Sequence, residues 1–220
     1  ILILSSDVDA NKAAVRSIRD RGDDQYVVVR ASDPVSEDEL ADLGADVVIN
    51  PSTVIADSAL RSLESGELEY KARQLADILR GTNGKLAVLA HDNPDPDSIA
   101  AAVALAAIAA EYGVEADILY DGEIGHQENR AFVNTLGIDL HARDDAKPLS
   151  EYGALALVDY AEADGNDIDA EVDVYIDHDE PEEVIDAAFT DIRKNVSSTS
   201  TILTKYLQEF DLSPDETVAT

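Results

Sequence analysis

Short apolar runs alternate with stretches of helical periodicity along the whole chain, and this confines it to an α/β fold built on parallel strands. In the first part, Ile1–Leu4, Tyr26–Arg30 and Asp46–Asn50 read as strands. Asn11–Asp20 reads as a helix with Ala14, Val15 and Ile18 on one face. Asp33-Pro34 opens a turn, and Ser36 with Glu39 has capping-box spacing ahead of Leu40 and Leu43. Pro51 ends the third strand. A long helix is expected over Val54–Arg80, broken near Ser65-Gly66. Gly81-Thr-Asn-Gly84 then punctuates the chain, so a domain boundary is expected near residue 82.

The alternation restarts beyond it. Leu86–Ala90, Ala116–Tyr120, Ala154–Val158 and Val172–Ile176 are strands by their apolar content. Ser98–Tyr112 is apolar nearly all round, which predicts a buried helix, and Gly113 stops it. Gln127–Leu136, closed by Gly137, and Thr199–Phe210 are further helices, and Ser213-Pro214 begins another.

Composition enters through charge. There are 47 acidic residues against 16 basic ones, a net charge of −31. Apolar periodicity almost throughout excludes an acidic disordered chain. The acidic residues are spread along the whole length and Arg outnumbers Lys, which points to adaptation to high salt; a cation-binding surface is the alternative. At molar salt the Debye length is about 3 Å, short enough to screen the self-repulsion. The chain lacks an apolar run long enough for a membrane span, and a signal peptide, so the cytoplasm is expected. Without cysteine it has no disulfide framework and no thiolate metal site. The lack of methionine and a strand that begins without a lead-in lead to the expectation of a piece of a longer protein.

Chemistry gathers just past the ends of apolar strands. The clusters are His91-Asp-Asn-Pro-Asp-Pro-Asp97, then Asp159, then Asp177-His-Asp179. In an open parallel sheet, ligands bind in the crevice beyond the carboxyl ends of the strands. Residues before proline leave the helical region, so Asn93 and Asp95 are expected in an extended segment that projects Asp95 and Asp97 to one side. Two carboxylates and an imidazole suit Mn²⁺, Fe²⁺, Co²⁺ or Zn²⁺ better than Ca²⁺. The plainer alternatives are that Asp97 is a helix N-cap and Asp95 a turn residue.

Leu86-Ala-Val-Leu-Ala-His-Asp-Asn-Pro-Asp-Pro-Asp-Ser98 resembles the first signature of the DHH phosphoesterase superfamily, which includes RecJ nucleases, nanoRNases and cyclic-dinucleotide phosphodiesterases. Ala154-Leu-Ala-Leu-Val-Asp159 is similar to the second signature, and Val174-Tyr-Ile-Asp-His-Asp179 sits where the name motif belongs. Gly125-His-Gln-Glu-Asn-Arg130 and Ser197-Ser-Thr-Ser-Thr201 resemble segments that approach the substrate. The resemblance implies an α/β fold: a parallel-sheet, Rossmann-like DHH domain over residues 82–220, truncated at its C-terminal end. It also implies two ions, Mn²⁺ first, with Mg²⁺, Co²⁺ or Zn²⁺ as alternatives. His91, Asp95 and Asp159 would hold one; Asp97, Asp159 and His178 the second. His126, Asn129, Arg130, Asp179, Ser198 and Thr199 would serve the substrate, and Asp177 would orient His178. Two departures stand out. Asp179 occupies the place of the motif's second His, and a further metal-binding Asp belongs to a strand the chain does not reach.

Ile1-Leu-Ile-Leu-Ser-Ser-Asp-Val-Asp-Ala-Asn-Lys-Ala-Ala14, Tyr26–Ala31 and Leu43–Pro51 resemble the C-terminal half of a TrkA-N (RCK-type) nucleotide-binding domain. This implies a partial, Rossmann-like TrkA-N domain with a linker helix over residues 1–81. No GxGxxG is present, and Asp7, Asp9 and Asn11 read as a solvated turn. The function expected is metal-dependent hydrolysis of a nucleotide or short oligonucleotide. The rival is a nucleotide sensor linked to potassium transport, with little or no turnover. A third reading makes the DHH part a dimerisation scaffold, and a homodimer is an expected partner arrangement.

Overall fold

The computed structural model describes residues 1–22, 24–122, 124, 127–160, 168, 170–181 and 184–213. The chain forms two compact units, Ile1–Gly66 and Glu67–Thr220. Both contain parallel sheets between helices, as the alternation predicts. No helix among the described residues is long and apolar enough to cross a membrane.

The first unit is β1 (Leu2–Ile3), α1 (Val8–Arg19), β2 (Val28–Arg30), α2 (Pro34–Asp42), β3 (Val47–Ile49) and the start of α3 (Pro51–Gly81). The strands lie in the order β1-β2-β3, all parallel. Val15, Val27, Val29, Ala31 and Leu40 form the core. Asn11 is not in a solvated turn: it is 1% exposed, and its amide donates to the Ser5 carbonyl at 2.9 Å and the Arg30 carbonyl at 2.8 Å. The capping box also differs from the sequence expectation. Pro34, whose ring fixes a helical φ, opens α2. The cap is therefore Asp33, whose Oδ1 accepts from the Ser36 N–H at 2.8 Å, and Ser36 answers from the third helical position. Pro51 begins α3 rather than merely ending a strand.

α3 runs through Ser65 and Gly66 without the expected break. Glycine inside a helix costs about 1 kcal/mol against alanine, which long flanking turns absorb. The division between the units nevertheless falls at Gly66, ahead of the punctuation at Gly81. The physical reason is packing: Ala72, Leu75 and Leu79 belong to the core of the second unit.

The second unit continues with β4 (Leu86–Ala90), α4 (Pro96–Glu111), β5 (Ala116–Tyr120), α5 (Gln127–Leu136), β6 (Leu140–Ala142), β7 (Ala154–Val158), β8 (Val172–Asp177), β9 (Ala187–Ile192) and α6 (Thr199–Glu209). Single 3₁₀ turns occupy Arg143–Asp145 and Leu149–Glu151. The sheet order is β6-β5-β4-β7-β8-β9, with every pair parallel. The chain thus winds outward from β4 in one direction and from β7 in the other. β4 and β7 are neighbours at the point of reversal, beyond whose carboxyl ends sheets of this kind bind ligands.

One face of this sheet packs on α3, α4 and α6, with Val88, Ile118, Ala156 and Val174 meeting Ile99, Leu105, Ile202 and Leu203. The alanine-rich α4 is buried as its all-round apolarity requires. The other face gathers Leu89, Leu119, Leu157 and Tyr175 beneath connecting segments.

Candidate metal centre

Each candidate ligand is delivered by a strand end or a helix start. His91 follows β4, whose five residues are all buried. The segment after it is extended at Asp95, as expected, but not at Asn93. Asn93 adopts φ 55°, a left-handed conformation that asparagine tolerates, and α4 already begins at Pro96. Asp95 is the N-cap: its Oδ1 accepts from the Ser98 N–H at 2.9 Å. Asp97 lies in the first turn of α4 and is not the cap. The local chemistry that explains this is Pro96, which is favoured at the first helical position.

Asp97 is held by a distant element. Its Oδ2 accepts from the Thr199 N–H at 2.8 Å and its Oδ1 from the Ser200 N–H at 2.9 Å. These are unpaired donors at the N-terminus of α6, where partial positive charge favours a carboxylate. Asp159, just past β7, adopts φ 53° and is only 10% exposed at its side chain.

The ligand atoms of His91, Asp95 and Asp159 lie within 4.8 Å of one another, and so do those of Asp97, Asp159 and His178. Asp159 belongs to both groups. The His91 Nδ1–H donates to the Asp92 carbonyl at 2.6 Å, so Nε2 is the free lone pair; it lies 3.9 Å from Asp159 Oδ2. The His178 Nδ1 lies 3.2 Å from Asp159 Oδ1 and 4.0 Å from Asp97 Oδ2.

Burial pushes the Asp159 carboxyl up to about 6, and the charges of Asp97, Asp177 and Asp95 push it the same way; only the Thr199 hydroxyl bond opposes them. Two imidazoles and three carboxylates, one of them shared, fit a pair of borderline divalent cations. Bound there, such cations would supply Lewis-acid chemistry and acidify water.

The other named residues take varied places. Asp177 is 1% exposed and does not hydrogen-bond the His178 ring, whose Nδ1 is 3.7 Å away. It instead accepts from the Tyr160 N–H at 2.6 Å, the Tyr175 hydroxyl at 3.1 Å and the Asp179 N–H at 2.9 Å. Burial and the nearby Asp177 charge raise the Tyr175 phenol. Asp179 is 59% exposed, with Oδ2 3.3 Å from His178 Nε2. Arg130 is exposed, and its Nε–H donates to the Ile124 carbonyl at 2.6 Å. Ser198 caps α6, accepting from the Thr201 N–H at 3.2 Å. His126 lies outside the described residues. Thr199 is fully buried.

Asn129 is likewise buried, at 5% exposure, and its amide donates to the Pro94 carbonyl at 3.0 Å. That carbonyl precedes Asp95. Asn129→Ala is expected to cost about 1–3 kcal/mol by leaving a buried acceptor unpaired. Thermal melting of the metal-free protein checks this; an unchanged melting temperature would count against the contact. The hint in the sequence is its spacing two residues into α5, but the partner 35 residues away is not legible there.

A doubly wound parallel sheet with a carboxylate–imidazole centre at its switch point defines the class of protein. Residues 85–220 match the DHH family, N-terminal domain, and residues 1–51 match the TrkA-N domain. The chain belongs to the DHH family. It is similar to an uncharacterized protein of Methanocaldococcus jannaschii, 32% identical over 235 residues, with 100% of this chain and 48% of that protein covered. The chain therefore spans about half the length of that relative.

Proposed function

We propose that this chain carries the cation-holding part of a divalent-metal-dependent phosphoesterase that hydrolyses phosphodiester or phosphomonoester bonds of short oligonucleotides or (cyclic) dinucleotides. The observation that carries the reading is Asp159, shared by two ligand groups and raised to about 6 by burial and surrounding carboxylates. In this reading His91, Asp95 and Asp159 hold one ion, and Asp97, Asp159 and His178 the other. Mn²⁺ is the first candidate, with Mg²⁺, Co²⁺ or Zn²⁺ as alternatives. The ions also explain how a chain of net charge −31 admits an anionic substrate.

The protein's own groups hold and orient. Asp95 and Asp97 are fixed by the cap of α4 and the N-terminus of α6. The Asp92 carbonyl fixes the His91 ring. Asp179 and Arg130 are both exposed, and in this reading they would face the substrate, Arg130 toward its phosphate.

The Asp at 179 favours a second reading, a nucleotide-sensing regulator with little turnover, and the TrkA-N match at residues 1–51 fits it. A regulator of that kind would act on potassium transport, as a homodimer. The two readings part in one assay. The protein, incubated with Mn²⁺ and a 5′-phosphorylated diadenylate at high salt, is expected to release mononucleotide. Tight dinucleotide binding without release would establish the sensor instead.

A further inference from the structure

We infer that Thr199 is a positioning residue that sets the affinity of the Asp97–Asp159–His178 cation site and never touches substrate. The inference rests on the two-cation reading. Thr199 is 0% exposed, so its hydroxyl has no route to a ligand in the crevice. That hydroxyl instead meets the site from behind. It donates to Asp159 Oδ1 at 2.8 Å and accepts from the His178 backbone N–H at 3.1 Å. The His178 ring Nδ1 lies 3.0 Å from the same oxygen. The residue's own N–H donates to Asp97 Oδ2 at 2.8 Å. One side chain and one peptide thus tie together all three members of the group.

The three are otherwise far apart in the chain. Asp97 comes from the start of α4, Asp159 from the end of β7 and His178 from the end of β8. The repulsion between the two carboxylates has to be overcome before a cation arrives, because ligand atoms of Asp97 and Asp159 lie within 4.8 Å of each other. A hydroxyl that donates to one carboxylate, beside a peptide N–H that donates to the other, holds the group assembled. Groups that orient metal ligands in this way are worth roughly 10–100-fold in affinity when removed.

Of the neighbours of Thr199, Ser200 shares part of the task through its backbone, its N–H donating to Asp97 Oδ1 at 2.9 Å, but the neighbouring side chains bond within the helix. Ser198 turns its oxygen to the Thr201 N–H within α6, and the Thr204 hydroxyl donates to the Ser200 carbonyl. Within the Ser/Thr-rich run, Thr199 is thus the residue whose hydroxyl serves the site, while the Ser198 and Thr204 hydroxyls serve the helix.

The test is Mn²⁺ binding followed by electron paramagnetic resonance of the free ion, on the whole chain. Thr199→Val keeps shape and volume but loses the hydroxyl; Thr199→Ser keeps the hydroxyl. The valine variant is expected to weaken one of the two Mn²⁺ sites by roughly 10–100-fold, with serine within about threefold of wild type. The His91–Asp95–Asp159 site is expected to change less. Equal affinity in the valine variant overturns the inference. Should valine fail to fold, Thr199→Ala gives the same comparison against serine; if neither folds while serine does, the hydroxyl serves the fold, and the inference is overturned. Wild type that binds no Mn²⁺ defeats the phosphoesterase reading instead, so the two failures are distinguishable.

Discussion

Asp159→Asn is expected to abolish hydrolysis while making the metal-free protein more stable at neutral pH. Loss of the shared carboxylate removes a donor from both ligand groups at once. If that forfeits about 4 kcal/mol of transition-state stabilisation, turnover falls on the order of a thousandfold. The stability gain follows from the carboxyl's position near 6 against an ordinary value of 3.8. Because the folded state holds this proton more tightly than the unfolded chain, the group's contribution is fully present below pH 4. It is lost as pH rises through about 6. A carboxyl raised this far destabilises the folded state by roughly 3 kcal/mol at pH 7.

Asparagine has no proton to lose and keeps an oxygen for the Thr199 hydroxyl. It also tolerates φ 53°, where alanine would add strain of about 1–2 kcal/mol. Denaturant titration of both proteins across pH 4 to 8, in chelator, measures the difference directly. Carboxyls away from the centre cancel in that comparison: Asp117, for instance, is held below its ordinary value beside Lys85 and Tyr152 in both, against the opposing pull of its burial. The gap should open between pH 4 and 6 and stay constant above. A variant less stable than wild type at pH 7 would sink the account. Mn²⁺ should then stabilise wild type and leave the variant unchanged, since only a bound ion shifts the equilibrium.

The residues that set this trade-off are legible in the sequence to different degrees. Leu86–Ala90, Ala116–Tyr120 and Ala154–Val158 coincide with β4, β5 and β7, because fully or largely apolar five-residue runs bounded by polar residues leave little choice. β6 and β9 escape such a reading. β6 is three residues with His141 in its middle. β9 contains Asp191, which reads as a loop residue until Tyr206 donates to its carboxylate at 2.6 Å and Arg193 pairs with it at 2.9 Å. Partners of that kind are set by packing, which no periodicity reveals.

The site divides the same way. Strand ends place His91, Asp159 and His178, and a strand end is visible in sequence. The backbone N–H groups that fix Asp97 come from 102 and 103 residues away. Thr199 and Asn129 are expected at the substrate because their segments run beside it; burial of each side chain is a property of packing, not of spacing. Ser213-Pro214 begins a helix only in the sequence reading, since residues 214–220 lie outside the described part.

Asp177→Ala is expected to be the most destabilising single change at the centre, although this residue belongs to neither ligand group. The wild-type carboxylate accepts from the Tyr160 N–H, the Tyr175 hydroxyl and the Asp179 N–H. The two peptides it grips immediately follow Asp159 and His178, so it fixes both loops that carry ligands. Alanine strands three donors in a site that is 1% exposed. At about 1–3 kcal/mol for each buried unpaired group, with partial relaxation, the loss is roughly 3–5 kcal/mol. One effect runs the other way: removing this charge lets the Asp159 carboxyl fall back toward its ordinary value. That relief comes through space from one neighbour among several, whereas the three lost bonds are direct, so destabilisation wins. Asp177→Asn separates the two effects. It removes the charge completely but keeps one oxygen for the donors, so it should lie between alanine and wild type. Urea titration should show the midpoint falling in the order wild type, asparagine, alanine, with an unchanged slope if both variants still unfold in one step. An alanine variant within about 1 kcal/mol of wild type would mean that these contacts contribute little, and that the loops beyond β7 and β8 are held by something else.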